Sequence, residues 1–149
     1  MPLYLALQMK HAHNPKNAIL LITDGEDTCS RYSLVNARNA VKESDTQIYA
    51  IGIVGSYSGF SQGHTGRAVL EEMTEVTGGK AYFPNSVYEL EDICVKIALK
   101  LKNQYVLGYS STNPAKDGRW RKIKVKLNAP KGLPSLSVRS KTGYYAPHG

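Results

Sequence analysis

Three carboxylates fall within four residues of one another directly after an apolar run: Ala18-Ile19-Leu20-Leu21-Ile22-Thr23 leads into Asp24-Gly25-Glu26-Asp27. Such oxygen ligands suit a hard divalent cation like Mg²⁺, and paired carboxylates can also act as general acid and base. The run itself, rich in branched side chains and bounded by Asn17 and Asp24-Gly25, reads as a buried parallel-type strand ending in a turn. Its carboxylates therefore sit at the strand's carboxyl edge, where open α/β sheets bind ligands. Asp-Gly is equally a good turn in its own right. A solvated acidic loop also accounts for Glu26 and Asp27.

A second apolar strand, residues 47–54, is followed by a Gly/Ser-rich loop over residues 55–65 that carries Ser56, Ser58 and His64. A helix separates the two strands. The right-handed crossover rule then makes them parallel and puts both loops on one rim. Gly25, Ser56, Ser58 and His64 are the candidate ligand-rim positions beside Asp24, although His64 also reads as an ordinary exposed histidine. No Gly-x-Ser-x-Gly elbow, phosphate loop or His-rich metal set is present. The two cysteines, Cys29 and Cys94, are too few for a metal cage and require no disulfide; Cys94 falls on a helix's apolar stripe and Cys29 in an exposed turn.

The elements that position this rim follow from periodicity. Residues 3–13 read as a helix stopped by Asn14-Pro15. Ser33 can cap a helix burying Leu34, Ala37, Ala40 and Val41. Residues 67–77 form the next helix, with Val69, Leu70, Met73 and Val76 inward and Gly78-Gly79 as its stop. A short strand over 81–83 precedes Ser86-Val87-Tyr88-Glu89, a capping-box pattern opening a helix that buries Leu90, Ile93, Cys94, Ile97 and Leu101. After Asn103 the signals turn to strands: 105–109, then 120–127 with Ile123, Val125 and Leu127 alternating with lysines, then 136–140. Residues 129–134 join the last two as a hairpin-like connection. The expected architecture is α/β: a partial Rossmann-like parallel sheet with flanking helices over residues 1–103, plus an antiparallel β-extension over 104–149 packed on it.

The chain has 149 residues, 42% hydrophobic and 21% charged, which suits one core. No run approaches the roughly 20 apolar residues of a membrane span, and the first residues do not read as a signal peptide. The net charge of +7 favours acidic partners. Its carriers, among them Lys96, Lys100, Lys102, Arg119, Arg121, Lys122, Lys124, Lys126 and Lys131, occupy alternating or helical positions that suit solvated faces, with no nucleic-acid motif alongside.

Leu21-Ile22-Thr23-Asp24-Gly25 resembles the strand and Asp-Gly turn of a von Willebrand factor A domain. Residues 48–52 resemble its next strand, and residues 70–83, with Gly78-Gly79, the helix, double glycine and strand that follow. Gln104-Tyr105-Val106-Leu107-Gly108-Tyr109, residues 117–123 and Thr142-Gly143-Tyr144-Tyr145-Ala146-Pro147 resemble the C-terminal extension of a related bacterial group abundant in acidobacteria. The resemblance implies a protein-binding module with a metal-ion-dependent adhesion site on the carboxyl rim, secreted or in the cell envelope of a bacterium. Asp24 matches that site's third-loop aspartate, with Glu26 and Asp27 as possible helpers. The first-loop pattern Asp-x-Ser-x-Ser occurs nowhere, and the second-loop threonine belongs upstream of the first helix. The chain thus resembles the second half of the domain. An incomplete ligand set should hold Mg²⁺ only weakly, so no bound cofactor is expected.

In the whole domain the strand over 18–23 is central. Here its edge is expected to pair with a second copy or to be covered by the C-terminal strands. The function expected is therefore a non-catalytic adhesion-type module. The alternatives are a small Mg²⁺-dependent hydrolase or phosphatase using Asp24, or a basic nucleic-acid-binding module.

Overall fold

A computed structural model of the chain describes residues 3, 6–7, 17–23, 34–53, 60–128, 130–132 and 136–149, with residues 34 and 60–65 described by backbone alone. The elements are β1 (Ala18–Thr23), α1 (Leu34–Glu43), β2 (Gln47–Gly52), α2 (Phe60–Val76), β3 (Ala81–Tyr82), α3 (Glu89–Lys102), β4 (Trp120–Lys122) and β5 (Gly143–Tyr145). The first three strands form a parallel sheet in the order β1-β2-β3, and β4 pairs with β5 antiparallel. The α/β class and both strand senses are those the sequence implies.

Helices cover both faces of the sheet. On one face Ile48 packs with Ala37 and Val41 of α1, Met73 of α2 and Leu3, itself in a helical turn; Leu7, Ile19, Val69 and Val76 close around them. On the other, Tyr49 and Ile51 pack against Ile93 and Ile97 of α3, with Tyr82, Leu90 and Leu101 alongside. Alternation along β2 thus feeds two cores, which is why β2 is the most buried strand.

β1 departs from expectation. It is half-exposed rather than buried: Leu20 and Ile22, in register with Tyr49 and Ile51, are 46% and 59% exposed. α3 packs over β2 and β3 and does not reach them. Among the described residues no strand lies on the outer edge of β1. The C-terminal strands do not cover it, because β4 and β5 pack near α1, with the Lys42 ammonium 6.0 Å from the Trp120 ring centroid.

Other boundaries move as well. α2 starts at Phe60, so residues 60–65 are helical rather than loop. Gly63 and Gly66 each disfavour helix by about 1 kcal/mol relative to Ala, yet the amphipathic segment that follows carries the helix back through them. α3 begins at Glu89 without a side-chain cap at Tyr88; the Ser86 carbonyl accepts from the Glu89 N–H, and the Glu89 carboxylate accepts from Asn85 instead of closing a capping box. Cys94 is exposed, since Leu90, Ile93, Ile97 and Leu101 define a line that leaves position 94 to one side. Ser33 and Cys29 lie outside the described residues.

The extension ladders less than its alternation suggests. Backbone pairing runs from Gly149 N–H to Lys116 C=O at one end to Ile123 N–H to Thr142 C=O at the other. Residues 105–109, 124–127 and 136–140 carry no ladder. The cause is competition. Thr142 N–H donates to the Val76 carbonyl at the end of α2 (3.1 Å), the Arg139 guanidinium donates to Gly79 C=O (3.0 Å), and Lys141 pairs with Asp45 (2.8 Å). Satisfying the open carbonyls at and after the end of α2 draws residues 139–141 away from the lysine-bearing strand, with Thr142 the last residue to pair with it.

Candidate functional site

β1 and β2 end side by side: Ile53 N–H donates to Thr23 C=O at 2.8 Å, so the chain enters the segments after both strands from one rim. Asp24, Gly25, Glu26, Asp27, Ser56 and Ser58 lie outside the described residues. His64 stands within α2, four positions after its first residue, rather than in a loop.

The described part of this rim is built by side chains that the sequence reading passed over. Phe83, just after β3, lies against the end of β2: a Cβ on Gly52 would meet its ring at 2.7 Å. Arg67 on α2 places its guanidinium carbon 4.4 Å from the Phe83 ring centroid, and its Nε pairs with Glu71 at 3.2 Å. A cation over a ring at a solvent-accessible site contributes about 0.5–1 kcal/mol, and an i,i+4 pair about 0.3–0.5. Spacing alone could have paired Arg67 with Glu71. Nothing local announces the stacking, which depends on where β3 ends. Among the described residues no three His, Cys, Asp or Glu side chains converge as a metal site.

The opposite, amino rim carries a cleft of about 220 Å³. Its lining includes the polar residues Asn17, Gln47 and Thr77, with the Gln104 amide donating to Gln47 Oε1 at 2.5 Å. Tyr105, Val106 and Leu107 line it together with Arg139, Ser140 and Lys141. Asp45, the acidic residue of the lining, is taken by Lys141 at 2.8 Å. Arg139 spends one donor on Gly79 C=O, leaving the rest of its fork. Burial and nearby Tyr82 push the Tyr49 hydroxyl above the ordinary tyrosine range, opposed by the Arg139 charge.

Within the extension, Asp117 accepts from the Arg119 N–H (3.0 Å) and the Arg121 guanidinium (2.8 Å), which hold its carboxyl below the usual range. Tyr144, hydrogen-bonded to Ser111 and Tyr109 near Arg121, titrates below an ordinary tyrosine, and the same Tyr144 bond raises Tyr109.

No helix of the described chain is long and apolar enough to cross a membrane. No protein-family model matches the chain. No curated protein matches it significantly. Among solved structures it is similar to an uncharacterized membrane spanning protein from Vibrio fischeri, with a TM-score of 0.46 and 21% identity over 58% of this chain and 47% of that one. The chain thus spans less than half the length of that structure, and a likeness of this depth assigns no function.

Proposed function

We propose that this chain is a non-catalytic protein-binding module of the von Willebrand factor A type, whose adhesion-site ligand set is not completed by its own residues. Three observations support the reading: the parallel order β1-β2-β3, Asp24 directly after the first strand, and the absence of the Asp-x-Ser-x-Ser pattern from the sequence. The open apolar edge of β1 carries it. A six-residue strand without a charge, Ala18–Thr23, leaves its outer edge without a strand among the described residues and shows Leu20 and Ile22 to solvent. Such an edge is a template for another strand.

The partner proposed first is a second copy. Fully burying a Leu or Ile is worth about 1.5–3 kcal/mol, so covering the exposed halves of two residues on each of two copies offers about 3–6 kcal/mol, with ladder bonds adding about 1 each. Association costs at least about 4 kcal/mol. A weak dimer, micromolar or looser, is expected. Light scattering across a concentration series tests this. Ile22→Lys, which puts a charge on the exposed face, should leave a folded monomer. A wild-type chain monomeric up to millimolar concentration, or a dimer indifferent to Ile22→Lys, would refute pairing through this edge.

A further inference from the structure

The amino-rim cleft lies at the other end of the sheet from Thr23 and Ile53, and it is lined by residues outside β1. We infer that it binds the carboxyl-terminal end of an extended peptide, adding it as a strand along residues 105–109 with its carboxylate on Arg139.

The first observation is the segment 105–109, whose Tyr105, Val106 and Leu107 line the cleft. Tyr105-Val106-Leu107-Gly108-Tyr109 has strand composition, and Tyr105 is 90% exposed. Among the described residues no backbone N–H or C=O of 105–109 has a hydrogen-bond partner. An extended segment with free main-chain groups is the surface that β-augmentation uses: the main chain supplies affinity, and pockets for alternate side chains supply selectivity. Val125 and Leu107 offer an apolar surface for one such side chain.

The second observation is charge. Asp45, the carboxylate in the lining, pairs with Lys141, and Arg139 makes no ion pair among the described residues. Its bond to the Gly79 carbonyl fixes the guanidinium while leaving other N–H groups to receive a carboxylate. Asn17, Gln47 and Gln104 supply amides where the last residue of a peptide would lie. The third observation is the wider field. Residues 104–149 carry nine Lys or Arg and a single Asp, a net +8 against +7 for the whole chain, so the positive charge lies in the extension. A negatively charged chain end is steered to this side of the molecule.

The probe is a fluorescein-labelled peptide, Gly-Ser-Thr-Val-Thr-Val, with a free carboxylate, compared with its C-terminally amidated twin by fluorescence anisotropy. The acid should bind at least tenfold more tightly than the amide. Arg139→Gln should erase that preference, and Arg139→Lys should restore part of it. Leu107→Pro, which removes one N–H from an exposed segment, should weaken both peptides. Equal binding of acid and amide, binding of neither, or a preference that survives Arg139→Gln would overturn the inference. So would displacement of the peptide by a single-stranded oligothymidylate with no difference between acid and amide, which would make the surface a polyanion binder. The acid-amide comparison uses the unaltered protein, so it stands even if a variant fails to fold. Ile22→Lys should leave it unchanged, which separates its failure from that of the β1 edge.

Discussion

Two adjacent glycines should fail in different ways when replaced by alanine. A Cβ on Gly79 would sit 1.8 Å from the Ile48 carbonyl oxygen and 2.7 Å from its carbon. No rotamer relieves a clash with backbone. Ile48 is paired with Ile19 across the sheet, its N–H is held by Thr77 Oγ1 at 3.0 Å, and Ala50 N–H donates to Lys80 C=O at 3.1 Å. Moving the turn off β2 leaves the buried Ile48 N–H unsatisfied, about 1–3 kcal/mol, and breaks a strand bond worth about 1. Gly79→Ala should therefore cost about 3 kcal/mol. Gly78 has φ +81, where alanine is strained by about 1–2 kcal/mol. Its Cβ would meet the Ser140 carbonyl carbon at 2.6 Å, so this clash falls on the docked tail rather than on the sheet. Urea unfolding followed by two probes separates the cases. Trp120, the single tryptophan, reports the extension, and far-UV circular dichroism reports the helices and the parallel sheet. Gly79→Ala should shift both transitions together. Gly78→Ala should shift the fluorescence transition to lower urea while the dichroism transition moves less. A loss under about 0.5 kcal/mol for Gly79→Ala, or coincident equal shifts for Gly78→Ala, would refute this reasoning.

Acid should loosen the extension before the sheet. The Asp117 carboxyl is held below its unfolded value of 3.8, so its contribution is present above pH 3.8 and is lost as pH falls further through the folded value. Trp120 fluorescence should report that loss, and Asp117→Asn should remove the pH-dependent step; an unchanged step would exclude Asp117 as its source. Calorimetric titration of Mg²⁺ should give only millimolar or weaker binding, because the sequence lacks the Asp-x-Ser-x-Ser pattern that would complete the ligand set. Tight binding that disappears in Asp24→Ala would show the rim to be completed after all.

Much of the architecture is legible in the residues. Apolar runs over 18–23 and 48–51 and a helical period between and after them are local signals, and the helical crossover makes the strands parallel. The 3.6-residue line through Leu90, Ile93, Ile97 and Leu101 likewise gives the buried face of α3. What periodicity left open is coverage. Nothing in Leu20 or Ile22 tells whether a helix lies above them, because burial is a property of the neighbour, and α3 stops short of β1. His64 reads as a loop residue because two flanking glycines are weak helix formers, a preference of about 1 kcal/mol each that tertiary packing outweighs.

The extension marks the same division. Alternation of Ile123 and Val125 with Lys122, Lys124 and Lys126 determined which side chains face inward, since strand geometry alone fixes a two-residue period. Whether those residues ladder depends on competing acceptors, and Val76 and Gly79 C=O, distant in sequence, take the donors of Thr142 and Arg139. The carboxyl rim was nameable because it follows from chain direction. The amino-rim cleft was not, because Gln47, Leu107 and Arg139 meet only when the extension folds back across the ends of β1 and β2. Sequence determined period, polarity and direction, all consequences of local geometry. Tertiary structure decided which edges stay open and which distant groups converge, because those depend on competition among partners far apart along the chain.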